Sequence, residues 1–185
     1  GDKDLAKELL GRFRSIGGVL NAPPEMLKEV KGIGDRAAIL LQLVRDINLH
    51  CLHERVRKRS FVAHRYDVEH YLRAHFSHRA DEYVAVLLLD SGSRIIASEV
   101  IGEGTVNQCA IYPRVVVDRA LKGGAAAIIL VHNHPGGTTD PSEADWRITT
   151  RLHEVGRLLD VSLLDHILVC DQNVVSLREL PRWPG

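Results

Sequence analysis

The segment Ala125-Ala126-Ala127-Ile128-Ile129-Leu130-Val131-His132-Asn133-His134-Pro135-Gly136-Gly137-Thr138-Thr139-Asp140-Pro141-Ser142-Glu143-Ala144-Asp145 changes character twice. It opens as an unbroken apolar run, the pattern of a strand buried on both faces. It then turns polar at His132 and bends at Pro135-Gly136-Gly137. Asp140-Pro141-Ser142-Glu143 follows as a helix start, with Asp140 in the capping position and Pro141 in the first turn. Ser142 and Asp145 also have capping-box spacing. Ala144, Ile148, Leu152 and Val155 continue as an inward-facing helical stripe. Strand, tight turn and helix in succession mark an α/β unit.

Working outward, the neighbours fit the same plan. Tyr83–Leu89 is a second nearly continuous apolar run, ended by Asp90-Ser91-Gly92. That is a buried strand and a hairpin signal, with the return strand at Arg94–Val100. Tyr112-Pro113 opens a helix through Val115–Leu121, stopped by Gly123-Gly124. Leu163–Cys170 and Asn173–Ser176 close the chain as strands around an Asp171-Gln172 turn. Asp67 reads as the N-cap of a helix holding Val68, Tyr71 and Leu72.

The front of the chain reads differently. Leu5, Ala6, Leu9, Leu10 and Phe13 form a helical stripe broken by Gly17-Gly18, and Pro23-Pro24 opens a second short helix through Glu25–Val30. Lys31-Gly32-Ile33-Gly34 is a tight turn. A long helix starts at Asp35 with Ala37, Ala38, Leu40, Leu41, Val44 and Ile47 as its apolar positions. The charged run Glu54–Arg59 is the natural boundary. The expected organisation is therefore an all-α module at 1–60 and an α/β domain at 61–185.

Charge supports the division. Residues 1–65 carry 13 Lys and Arg against 8 Asp and Glu, a balance of +5, and the remainder balances at −5. A basic front on a mildly acidic body suggests modules with different partners. No apolar run approaches the ~20 residues that span a bilayer, so no membrane partner is expected. Cys51, Cys109 and Cys170 are scattered and never in CxxC spacing, which fits buried thiols in a reducing cytoplasm. The start, Gly1-Asp2-Lys3-Asp4, has no basic-then-apolar leader pattern and no Met, so further residues are expected upstream.

His132 and His134 sit two apart at a strand end, where alternation turns both imidazoles to one face. Two neutral imidazoles and a carboxylate make a catalytic zinc set that leaves the fourth tetrahedral position to water. The ordinary alternative stays open at this point. Two histidines suit a polar strand edge, and Ser142 with Asp145 suit a helix cap.

The whole pattern, His-x-His-Pro, six residues, Ser, two residues, Asp, resembles the JAMM (MPN+) metallopeptidases at every fixed position. Its flanks resemble the bacterial RadC family, with a GTxN element at Gly104-Thr105-Val106-Asn107 and a DHIxV element at Asp165–Val169. The resemblance implies a JAMM/MPN-like, cytidine-deaminase-like mixed sheet flanked by helices. It implies one zinc held by His132, His134 and Asp145, with Ser142 donating to the oxyanion of the tetrahedral intermediate. It also implies a general-base glutamate from an earlier strand. Glu82 is the first choice, Glu99 the rival, and Glu103 lies in the loop that follows. The substrate would be a peptide or isopeptide bond. Tyr112-Pro113-Arg114-Val115 and Pro135-Gly136-Gly137 depart from the family pattern without touching a proposed ligand. Asp165 and His166 are expected as a structural pair, or as support behind the metal site.

In the front module, Val30-Lys31-Gly32-Ile33-Gly34-Asp35 resembles a helix–hairpin–helix turn. Such a turn implies backbone amides and a helix start that receive a DNA phosphate, with Lys31, Gly32, Gly34 and Arg36 as the contact residues. Asp35 argues against it, and protein docking is the alternative. Three functions therefore compete: a zinc-dependent amide hydrolase, a DNA-associated repair accessory or nuclease, and a scaffold whose zinc only holds the fold.

Overall fold

The computed structural model describes residues 2–57, 59–76, 81–104, 111–135, 137–170 and 173–185, and these fall into two compact units, 1–54 and 55–185. Residues 105–107 of the expected GTxN element, Cys109, the Asp171-Gln172 turn, Gly136 and the Glu103 side chain lie outside the described residues.

The first unit is helical: α1 (Asp2–Phe13), α2 (Ile16–Asn21), α3 (Pro24–Lys28) and the greater part of α4 (Asp35–Val56). Ser15 caps α2 by accepting from the Gly18 amide, and Pro24 sits in the first turn of α3. Val19, Ala22, Leu27, Val30, Ile33 and Ala38 form the core, with Leu5, Leu9, Phe13, Ala37 and Leu41 packed on it. The apolar stripe expected along α4 only partly goes inward: Leu40, Val44 and Ile47 are exposed. A core this small is filled by the first turns of α4. Gly32 takes φ +102, a backbone conformation closed to most side chains, and so turns the chain between α3 and α4.

The second unit is α/β. Its elements are α5 (Arg65–Phe76), β1 (Glu82–Leu89), β2 (Ile95–Gly104), α6 (Pro113–Lys122), β3 (Ala127–Asn133), α7 (Glu143–Leu158), β4 (Ser162–Cys170) and β5 (Asn173–Ser176), closed by a 3-10 turn at Leu177–Glu179. The sheet runs β2-β1-β3-β4-β5, with β3 and β4 parallel and every other pair antiparallel. The parallel pair is joined through α7, as a crossover connection requires. Val84, Val86 and Leu88 of β1 and Ile128 and Leu130 of β3 meet Val116 and Ala120 of α6 and Ile148 and Leu152 of α7 in one buried cluster. The alternate residues Ala85, Leu87, Leu89, Ile129 and Val131 are buried as well, so both central strands are covered on both faces.

Two expected helix starts are displaced. α7 begins at Glu143 and is capped by Ser142, not Asp140, because Ser142 and Asp145 complete the capping box reciprocally. α5 begins at Arg65, ahead of Asp67, whose carboxylate takes an ion pair from Arg59 at 2.7 Å. Cys51 is exposed, contrary to expectation, while Cys170 is buried.

Candidate metal centre

Three elements converge at one end of the sheet. β3 delivers His132 and, just past its end, His134, whose amide donates to Val169 O at 2.9 Å and so stays tied to β4. The rings of His132 and His134 stand 4.9 Å apart, centroid to centroid. The first turn of α7 brings in Asp145, 2% exposed. One carboxylate oxygen of Asp145 lies 3.0 Å from His132 Nδ1, and the other lies 3.5 Å from His134 Nε2.

The cap and the site share one carboxylate. Asp145 Oδ2 accepts from the Ser142 amide at 2.7 Å and from the Ser142 hydroxyl at 2.6 Å. The two functions weighed for Ser142 and Asp145 are therefore not exclusive: the helix start that places Asp145 is built from the same atoms as the site.

Electrostatics follows from burial and these contacts. Burial alone would raise the Asp145 carboxyl, but hydrogen bonds from His132, His134 and Ser142 overcome it and hold the group well below the carboxylate range. The hydrogen bond to Asp145, followed by one with Cys170, raises His134 to about 10. A metal cation bound to His134 therefore has to displace a proton.

β4 adds a residue that the spacing of the motif does not reveal. His166 is fully buried, and burial lowers its pKa to about 3. Ligand atoms of His132, Asp145 and His166 all lie within 4.8 Å of one another. Nε2 of His132 and Nε2 of His166 are both buried with no hydrogen-bond partner among the described residues. An unsatisfied buried polar atom costs about 1–3 kcal/mol, and His132, Asp145 and His166 group closely enough to hold a cation. Imidazole nitrogens with a carboxylate oxygen are a zinc donor set, and the residues present fit that ion.

The side chains of Asp165 and His166 do not pair with each other. Strand alternation sends them to opposite faces. Asp165 accepts from Ser176 Oγ at 2.7 Å and from the His166 amide at 2.8 Å, which ties β4 to the end of β5. His166 turns toward α7, where its Nδ1 lies 2.7 Å from Thr149 Oγ1. A histidine in the interior of β4, next to Asp165, was the available signal, since such a group needs a partner.

The candidate bases separate by register. Glu82 lies two residues before Val84, which pairs with His132. It therefore shares the face of His132 and is its diagonal neighbour, about 7–8 Å away on the backbone. Asn133, between the histidines, clasps the backbone on both sides of Glu82. Its Oδ1 accepts from the Tyr83 amide at 2.5 Å, and its Nδ2 donates to Asp81 O at 3.0 Å. Glu99 pairs with Val86 on the edge strand β2, and its carboxylate meets Arg119 of α6 at 3.4 Å. The structure thus places Glu82 beside the histidines and leaves Glu99 one strand further out. Lys31, Gly32, Gly34 and Arg36 are all exposed in the other unit.

Comparison with known proteins agrees with this architecture. A family model described as a RadC-like JAB domain matches residues 62–182. A UPF0758 protein of Acidovorax sp. (strain JS42) is 40% identical over 178 residues, covering 96% of this chain and 75% of that protein. A UPF0758 protein of Cellvibrio japonicus (strain Ueda107) is 40% identical over 176 residues, covering 95% and 79%. A UPF0758 protein of Stutzerimonas stutzeri (strain A1501) is 39% identical over 176 residues, with the same coverage. The match takes in β1 to β5 with the whole histidine–aspartate cluster, and the chain belongs to the family of RadC-like JAB domain proteins.

Proposed function

We propose that the chain is a zinc-dependent hydrolase that cleaves an amide bond, in a peptide or an isopeptide. The observation that carries this reading is the meeting of buried His132 and Asp145 with half-buried His134 at the point where β3 gives way to α7. Zinc held by these residues supplies Lewis-acid chemistry, bringing the ionisation of water toward neutral pH and polarising a carbonyl.

The chain's own residues account for the rest. Glu82 takes the proton of the attacking water and passes it to the leaving amine. Asn133 holds the Glu82 backbone against the strand that carries the histidines, so the base and the ligands keep a fixed relation. Ser142 keeps its backbone in the α7 cap, and its hydroxyl turns from Asp145 to the developing oxyanion.

The test is zinc analysis of the purified chain beside Asp145→Asn and Glu82→Gln, with peptide and isopeptide substrates assayed in parallel. One zinc per chain is expected in the wild type and in Glu82→Gln, with zinc lost in Asp145→Asn and hydrolysis lost in both variants. A wild type without zinc sinks the reading, and a fully active Glu82→Gln removes Glu82 as the base.

A second reading, DNA association through residues 31–36, is supported by one feature: Gly32 turns the chain between two helices with Lys31 and Arg36 exposed beside it. The ion pair of Lys28 with Asp35, at 3.2 Å, leaves a carboxylate at the helix start where a phosphate would sit.

A further inference from the structure

His166 carries more than packing. It lies in register with Leu130, while His132, two residues along β3, is in register with Leu168. The two histidines are therefore diagonal neighbours on adjacent parallel strands and share a face.

Hydrogen bonding sets the tautomer of His166. Thr149 Oγ1 lies 2.6 Å from the Asp145 carbonyl oxygen, and only the hydroxyl proton can join those two oxygens. With that proton spent, Oγ1 accepts from His166, at 2.7 Å, so the ring proton is on Nδ1. Nε2 is then a bare lone pair. It is fully buried, and no described residue offers it a donor. His166 has only Nε2 left to offer, and ligand atoms of His132, Asp145 and His166 lie within 4.8 Å of one another, a grouping that suits a cation.

We propose that His166 is itself a metal donor, so that zinc in this chain is held by four side chains: His132, His134, Asp145 and His166. Thr149 is its positioning residue, fixing the tautomer that leaves Nε2 available. The proposal rests on the zinc reading above, though not on hydrolysis. The attacking water of the proposed hydrolysis would then be a fifth donor, a coordination that zinc reaches in transition states.

The test is zinc K-edge X-ray absorption on the full chain loaded with one equivalent of zinc, counting imidazoles, beside zinc affinity for His166→Leu and Thr149→Val. Three imidazoles are expected in the wild type and two in His166→Leu. Zinc affinity should fall at least tenfold in His166→Leu, and by a smaller factor in Thr149→Val. Two imidazoles in a wild type that binds one zinc overturn the proposal and leave the three-residue site standing. No bound zinc overturns both. The wild-type count decides the matter even where His166→Leu does not fold.

Discussion

The candidate metal centre and the front hairpin are both built at the junction of a turn and a helix, yet they constrain their residues differently. At the candidate metal centre His132, Asp145, Thr149 and His166 are buried, and most polar groups are tied to a partner: Asp145 to His132, His134 and Ser142, Asn133 to both sides of Glu82, Thr149 to His166. At the hairpin, Lys31 and Arg36 are exposed, and only the backbone of Gly32 is demanding. Burial makes each polar group answer for its presence, because an unpartnered one is destabilising. Exposure imposes no such account. The structure therefore supports a detailed chemistry at one junction and a looser one at the other.

The largest expected effect falls on the shared carboxylate. Asp145→Ala removes a cap interaction of α7 and strands two histidines and a serine. Removing one partner of a buried polar network costs about 3–5 kcal/mol. Urea unfolding in the presence of a chelator isolates this from metal loss, and zinc stoichiometry is measured separately. A loss under about 1 kcal/mol by the same measure would show that the site is no more constrained than the hairpin.

A smaller effect comes from two glycines, one in each unit. A Cβ on Gly156 would lie 2.2 Å from the Val161 carbonyl oxygen, so Gly156→Ala forces backbone apart at the end of α7 and should cost about 2–3 kcal/mol. At Gly32 the nearest atom to a Cβ is a Leu5 methyl at 3.6 Å, an ordinary contact. The penalty there comes from φ alone and should be about 1–2 kcal/mol. Thermal or urea denaturation of both variants checks the order. A hairpin variant less stable than Gly156→Ala would reverse the comparison.

The same contrast explains how much could be read from the chain. The strand at Ala127–Asn133, the helix after it, and the meeting of His132, His134 and Asp145 follow from spacing along one continuous segment. His166 was legible as part of the DHIxV element and as support behind the site, but its approach to His132 depends on the register between β3 and β4, which no local pattern encodes. The choice of Ser142 over Asp140 as the cap was decided by reciprocal bonds, since both residues have capping side chains. The same limit applies to the apolar positions of α4. Periodicity marks the stripe, but the small core beside it takes only the first turns.

The smallest structural effect is expected where a function is most open. Lys31→Ala and Arg36→Ala are exposed substitutions and should change stability by no more than about 0.5 kcal/mol. If the hairpin receives phosphates, each substitution removes one contact from duplex DNA binding by the full chain. The slope of log affinity against log salt then flattens by about 0.9 per residue. Asp35→Asn should strengthen binding in the same assay, because it removes the carboxylate that competes with phosphate at the start of α4. If both lysine and arginine variants leave the salt slope unchanged, residues 31–36 are a helix turn and the front unit's partner is not a phosphate. An altered slope would show that a weakly constrained, exposed surface can carry as definite a function as the buried one, with the information held in charge instead of hydrogen bonds.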